Sequence, residues 1–269
     1  MAHTTRIKPD LVAPGVRVFS TVPFDFAAYE STVACTLVYP TPPVGYHSYG
    51  TGTSFAAPVV AGVSAHARKW FMDRDGDPSP SLIKAALIAT AADLGNFLTN
   101  DHRPSPNSGW GRVDLNRLTD GAARFYRKDN QGLAVSTGQQ RTWTRTVDDP
   151  ARETLIVLVW SDPPTQAFGS SQAALVNNLG LLAEEVGSGA YFAGNNFHEN
   201  RGGLDDGYSQ RFLPDAKPPF VDAINNVEAI FVPAGFFAAG QQLTLKVTGE
   251  NVAGGAQKFA IYGYNLRDP

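Results

Sequence analysis

The residues best suited to chemistry are Gly50-Thr-Gly52-Thr53-Ser54-Phe-Ala-Ala-Pro58, which open a stretch of small and apolar residues running to Phe71. A serine at a helix N-terminus lies beside unpaired backbone N–H groups and at the positive end of the helix dipole. Negative charge developing next to it is therefore stabilised. Pro58 has no N–H to give to the carbonyl four residues back, that of Ser54, so the backbone there is left partly free. Gly50 and Gly52 remove side chains where a substrate would approach. The chemistry that follows is nucleophilic attack by Ser54, with the backbone of Gly52, Thr53 and Ser54 as the oxyanion-binding segment. A plain helix cap at Thr53 or Ser54 is the alternative reading of the same pair.

Two helices must position this segment. The first runs from Ser54 to Phe71; from Phe55 to Ala67 it carries no formal charge and is small or apolar on every side. That pattern predicts a helix enclosed by protein. The second runs from about Pro80 to Leu94, with Ser79 as its cap, Pro80 in its first turn and Gly95 ending it. Near residue 122 the composition changes. Beyond it lie short strand-like runs between Gly, Pro and Asn: Leu155–Trp160, Val227–Val232, Leu243–Val247 and Phe259–Tyr264. Such runs predict an antiparallel β-sandwich or jelly roll, and Asn195 to Asp222, rich in Gly and Asp, reads as surface loops. The predicted organisation is thus residues 1–122 and residues 123–269.

Composition narrows the partners. The chain has 269 residues, a formal charge of −3 and no Lys/Arg stripe, which argues against nucleic acid. No apolar run is long enough for a membrane span. Cys35 is the single cysteine, so neither an internal disulfide nor a cysteine zinc site can form. The first ten residues hold no apolar leader.

Gly-Thr-Ser-x-Ala-x-Pro entering a Gly- and Ala-rich helix resembles the nucleophile motif of the subtilases, the subtilisin-like serine peptidases. Lys8-Pro-Asp10-Leu-Val-Ala-Pro14-Gly15, Pro80-Ser-Leu-Ile-Lys-Ala-Ala-Leu-Ile-Ala-Thr-Ala-Ala92 and Gly109-Trp-Gly-Arg-Val-Asp114 are similar to other segments of that family, in the same order. Leu158-Val-Trp160-Ser-Asp162, Leu175-Val-Asn-Asn-Leu179 and Asp222-Ala-Ile-Asn225-Asn-Val-Glu228 resemble the C-terminal β-sandwich of alkaline subtilases. The resemblance implies an α/β remnant of a subtilisin-like catalytic domain followed by an all-β antiparallel sandwich of jelly-roll type.

It also implies peptide-bond hydrolysis through an acyl-enzyme on Ser54. Of the family's Asp, His, Ser triad only Ser54 has a counterpart here, because the other two and the oxyanion Asn precede the matched segment. His47, seven residues before Ser54, is the candidate base within the chain; His3 and His102 could approach only in a rearranged fold. His66 lies roughly 18 Å along the same helix at 1.5 Å per residue and is excluded. His198 sits in no motif of the family. The competing readings are an esterase-type hydrolase using Ser54 with a recruited histidine, and a non-catalytic binding or stabilising sandwich. Expected partners are a peptide or ester substrate and either a second copy of the chain or an upstream catalytic portion. No cofactor is required; calcium is the ion that the oxygen ligands of Asp222, Asn226 and Glu228 could hold. Asp73-Arg-Asp75-Gly-Asp77 resembles the start of an EF-hand loop but has Pro78 and Lys84 where glycine and glutamate are needed, so it reads as a solvated turn. The family resemblance suggests a secreted protein.

Overall fold

A computed structural model of the chain describes residues 6–21, 47–95, 102–129, 133–164, 175–198, 206–218, 221–253 and 255–269. In chain order its elements are β1 (Val18–Thr21), β2 (His47–Gly50), α1 (Thr53–Asp75), α2 (Pro80–Thr90), α3 (Leu115–Thr119), β3 (Phe125–Lys128), β4 (Ala134–Val135), β5 (Gln140–Val147), β6 (Thr154–Val159), β7 (Asn177–Glu185), β8 (Tyr191–Phe197), β9 (Ser209–Phe212), β10 (Val227–Val232), β11 (Gln242–Val252), β12 (Gln257–Lys258), β13 (Ala260–Tyr264) and β14 (Leu266–Arg267). The expected antiparallel sheets are present. A six-stranded sheet runs β14-β5-β11-β7-β8-β9 and a four-stranded one β10-β6-β13-β3. Two short pairs, β1 with β2 and β12 with β4, complete the ladders.

The four-stranded sheet is buried on both faces. Along β6, Ile156, Leu158 and Trp160 turn toward Leu179, Leu181, Leu243, Leu245 and Val247 of the six-stranded sheet. Leu155, Val157 and Val159 instead join Leu82, Ala85, Ala86 and Ala89 of α2. A strand covered on both sides has no solvent face to carry polar residues, which is why β6 and β10 are apolar almost throughout. In β11, covered on one face, buried and half-buried residues alternate from Gln242 to Thr248. The apolar core that holds α2 also contains Ile7, Phe71, Trp110, Ala229, Phe231 and Tyr262, so it runs continuously from before residue 122 to beyond it.

β10 is an edge strand whose outward backbone groups are met by side chains. The Asn195 amide donates to the Val227 carbonyl at 2.8 Å and accepts the Ala229 N–H at 2.9 Å. Ser209 Oγ accepts the Phe231 N–H at 2.9 Å. Side chains from β8 and β9 thus stand in for a neighbouring strand.

Three expectations change. The all-round apolar pattern of α1 predicts an enclosed helix, yet only Ala67 and Phe71 are buried in it. Its last turns pack, with Phe71 against Phe125 and Tyr262, while Val59 in the first half is 41% exposed. α2 stops at Thr90 rather than near Leu94, because Ala92 is drawn into an extended pairing with Arg112, its N–H and carbonyl both bonded there at 2.8 and 2.9 Å. The stretch expected as loops contains the end of β8 and all of β9, whose exposed Gln210 and Arg211 hide the apolar alternation. The cap at Ser79 is as expected: its hydroxyl accepts the Leu82 N–H at 3.1 Å.

Candidate functional site

The motifs around Ser54 converge through the backbone. Trp110 N–H reaches the Asp10 carbonyl at 3.0 Å, Val12 N–H the Gly111 carbonyl at 3.0 Å, and Val113 N–H the Val12 carbonyl at 3.0 Å. Val12 thereby lies parallel to Arg112, and Arg112 antiparallel to Ala92. Gly109, at φ +59°, lets the chain pass directly beneath the Pro9 carbonyl, where a Cβ would collide. Lys84 of α2 closes the group with an ion pair to Asp10 at 2.8 Å.

From Val12 the chain reaches Gly15, whose carbonyl accepts the Gly52 N–H at 2.8 Å. A Cβ on Gly15 would stand 2.6 Å from the Gly52 oxygen, so this approach requires glycine. The Arg17 N–H donates to Thr51 Oγ1 at 3.0 Å, holding the residues just before the helix. Gly52 is the N-cap in extended conformation, without a side chain to bond the first turn. Thr53 and Ser54 are the first two helical residues, and both are exposed. Their N–H groups occupy positions that no helical carbonyl can satisfy. The Ser54 side chain makes no hydrogen bond among the described residues. An exposed hydroxyl thus stands beside two first-turn N–H donors at the N-terminal end of α1, the kinds of group a nucleophile and an oxyanion site need.

The histidines are placed differently. His47 opens β2 opposite Thr21, and its side chain lies outside what the structure describes, as do all of His3 and Cys35. His66 is exposed on α1. His102 Nδ1 meets Asp93 Oδ2 at 2.7 Å. Because Ala92 runs antiparallel to Arg112 while Val12 runs parallel to it, the chain leaves Ala92 for Asp93 in the direction opposite to that from Val12 toward Gly15. His102 therefore lies at the far end of this ladder from Ser54. His198 faces Asp206 at 3.3 Å on the sandwich.

Asp222, Asn226 and Glu228 lie at the junction of β8 and β10, where hydrogen bonds already engage both Asp222 oxygens, the Asn226 amide nitrogen and one Glu228 oxygen. Both Asp222 oxygens accept hydrogen bonds, the Asn226 amide donates to the Trp160 carbonyl at 2.9 Å, and Glu228 Oε2 accepts the Leu181 N–H at 2.5 Å. Burial, with the Asp222 charge adding to it, pushes the Glu228 carboxyl well above the usual carboxylate range. Among the described residues no group of three or more His, Cys, Asp or Glu side chains is placed to hold a metal ion. These residues do not present an open oxygen cage for calcium. The carboxylates of the Asp73–Asp77 turn are likewise paired, with Lys69, Arg127 and Arg68 respectively.

Sequence comparison bears on the same segment. The profile of the Subtilase family matches residues 2–111. The serine protease/ABC transporter B family protein tagA of Dictyostelium discoideum is 26% identical over 95% of this chain and 14% of its own length. The subtilisin-like protease SBT1.3 of Arabidopsis thaliana is 34% identical over 42% of this chain and 14% of its own length. SBT3 of Solanum lycopersicum, another subtilisin-like protease, is 30% identical over the same share of each. The chain thus spans about one-seventh of the length of these relatives, and the likeness is to proteins related to serine peptidases. Among solved structures, the Penaeus vannamei nodavirus P-domain aligns at 10% identity over 54% of this chain and 96% of that one, with a TM-score of 0.19, too low to inform the fold. No helix among the described residues is long and apolar enough to cross a membrane. The profile match falls on the stretch that contains Ser54 and most of its companion motifs, so residues 2–111 are similar to a segment of the Subtilase family.

Proposed function

We propose that this chain carries the nucleophile portion of a subtilisin-like serine peptidase, the last part of its α/β catalytic domain joined to a β-sandwich. Ser54 attacks the substrate carbonyl, its own N–H and that of Thr53 face the developing oxyanion, and an acyl-enzyme forms. The Asp and His of the triad come from a segment outside these 269 residues. The observation that carries this reading is the exposed Ser54 in the first turn of α1, fixed from below by the Gly52 to Gly15 bond at 2.8 Å. The partial cover of the first half of α1, where Val59 is exposed and Phe55 and Val60 only half-buried, supports it too, since such an apolar helix leaves room for further strands to pack. Peptides are the substrate class, and an exported protein fits the same resemblance.

The test is covalent labelling by a fluorophosphonate probe, which needs an activated serine. The chain alone should label weakly and cleave no peptide. Fused in frame behind an upstream subtilase segment bearing the Asp and His motifs, it should label strongly, and Ser54→Ala should abolish that. Equal labelling of the fused chain and its Ser54→Ala variant would overturn the assignment.

A further inference from the structure

The calcium reading of the sandwich meets a specific obstacle at Asp222. This side chain is 2% exposed, and each of its oxygens accepts two hydrogen bonds. Oδ1 accepts the Ile224 N–H at 2.8 Å and the Asn225 N–H at 3.0 Å. Oδ2 accepts Asn195 Nδ2 at 2.6 Å and Asn225 Nδ2 at 2.8 Å. Four donors fill the acceptor capacity of a carboxylate.

The two amides cannot be turned round. Asn195 Oδ1 accepts the Ala229 N–H at 2.9 Å, and Asn225 Oδ1 accepts the Ile7 N–H at 2.7 Å. With each amide oxygen fixed by a backbone donor, the NH2 ends must face Asp222; flipping either would set an oxygen against the carboxylate and an NH2 against an N–H. Calcium needs six to eight oxygens, each about 2.3–2.6 Å away. Here the space in front of Oδ2 is occupied by two nitrogens. Glu228 closes the other side: Gly194 on β8 leaves room for its carboxyl group, and a Cβ there would overlap it.

We infer that Asn195 and Asn225 take the place of a cation, making Asp222 the centre of a metal-independent clasp that ties β8, β10 and the Ile7 segment together. Neutral donors fix the carboxylate without an ion, so the sandwich holds its shape at any calcium concentration. The substitution Asn225→Asp puts a second carboxylate against Asp222 and removes the donor, which converts the clasp into a place where a divalent cation relieves repulsion.

Thermal melting of the 269-residue chain, recorded in EDTA and in millimolar calcium chloride, tests this. The wild type should melt at the same temperature in both. Asn225→Asp should melt about 5 °C or more lower in EDTA and regain part of that loss in calcium. Terbium, a calcium stand-in excited through Trp160, gives a second readout that requires no variant to fold, and it should show no sensitised emission with the wild type. A wild-type midpoint that falls in EDTA and returns with calcium, or sensitised terbium emission that disappears in Asp222→Asn, would overturn the inference. So would an Asn225→Asp chain that melts like the wild type in EDTA.

Discussion

Arg103 and Glu153 meet at 2.9 Å across the boundary between the helical segment and the sandwich. The Arg103 side chain is 2% exposed, lies over the Phe231 ring at 4.2 Å from its centroid and donates to the Ala91 carbonyl at 3.1 Å. Glu153 also receives Arg117 and, at 2.8 Å, the Tyr208 hydroxyl. Two cations and a phenol from three separate stretches of chain thus share one carboxylate. Glu153→Gln leaves Arg103 buried without its counter-charge, so we expect a loss of about 3–5 kcal/mol in urea unfolding. Replacing both partners, as Arg103→Met with Glu153→Leu, should cost less than the single change. A single variant that unfolds with the wild type would show that the cluster contributes nothing to stability.

The same carboxylate gives a pH dependence of definite sign. Burial works against ionisation of Glu153, but Arg103 and Arg117 outweigh it and hold the group below its ordinary value of 4.5. A lowered value means that the folded state favours the charged form, so this contribution is complete above about pH 4.5 and is lost as pH falls through the folded value. Melting temperature measured from pH 7 downward should drop more steeply below pH 4.5 in the wild type than in Glu153→Gln. Parallel curves would remove Glu153 from the acid response.

Ser54 is exposed and bonds to no described side chain, so removing its hydroxyl should leave the fold alone. Ser54→Ala should change unfolding stability by no more than about 0.5 kcal/mol. In a chain completed by the Asp and His segment, the same substitution should lower peptide turnover by about 10⁶-fold, the scale of losing a triad member. Paired melting and turnover measurements check both halves, and a large stability loss would mean that the serine is structural.

Residues 123–269 expressed alone should expose the face of β6 and β13 that α2 covers in the full chain and the face of β10 that Trp110 and Arg103 cover. Leu155, Val157, Val159, Phe231 and Tyr262 would then meet water. We expect the truncated protein to bind 8-anilinonaphthalene-1-sulfonate strongly and to melt lower than the full chain. Dye binding equal to that of the full chain would show that α2 is dispensable cover.

The turn into α1 at Gly52 to Ser54 was legible because its cues are local: glycines, a Thr-Ser pair and a proline four residues on. The strands were legible for the same reason, and the unbroken apolar runs of β6 and β10 already carried the mark of burial on both faces. What periodicity could not supply was the identity of the second cover. That α2 lies on the sandwich depends on contacts between residues some seventy positions apart, such as Leu82 with Leu155 in one core. The exposure of α1 was illegible for the opposite reason. Its composition describes a helix meant to be enclosed, and sequence pattern reports what a surface would favour rather than what stands against it. Asn195 was passed over because an isolated Asn in a Gly- and Asp-rich stretch looks like loop chemistry, whereas its amide acts as a piece of backbone.

An edge made safe by two side chains can be reopened by one substitution. Val227-Glu-Ala-Ile-Phe-Val232 is six residues long, free of proline and apolar but for a carboxyl that burial holds toward neutrality, the composition from which cross-β fibrils are built. Asn195→Ala would free the Val227 carbonyl and the Ala229 N–H together and leave an unprotected template for strands of other molecules. Incubated at 37 °C, that variant should gain thioflavin T fluorescence before the wild type does. Solubility in this protein would then rest on one short polar side chain, and a variant that stays as soluble as the wild type would show that the edge has other protection.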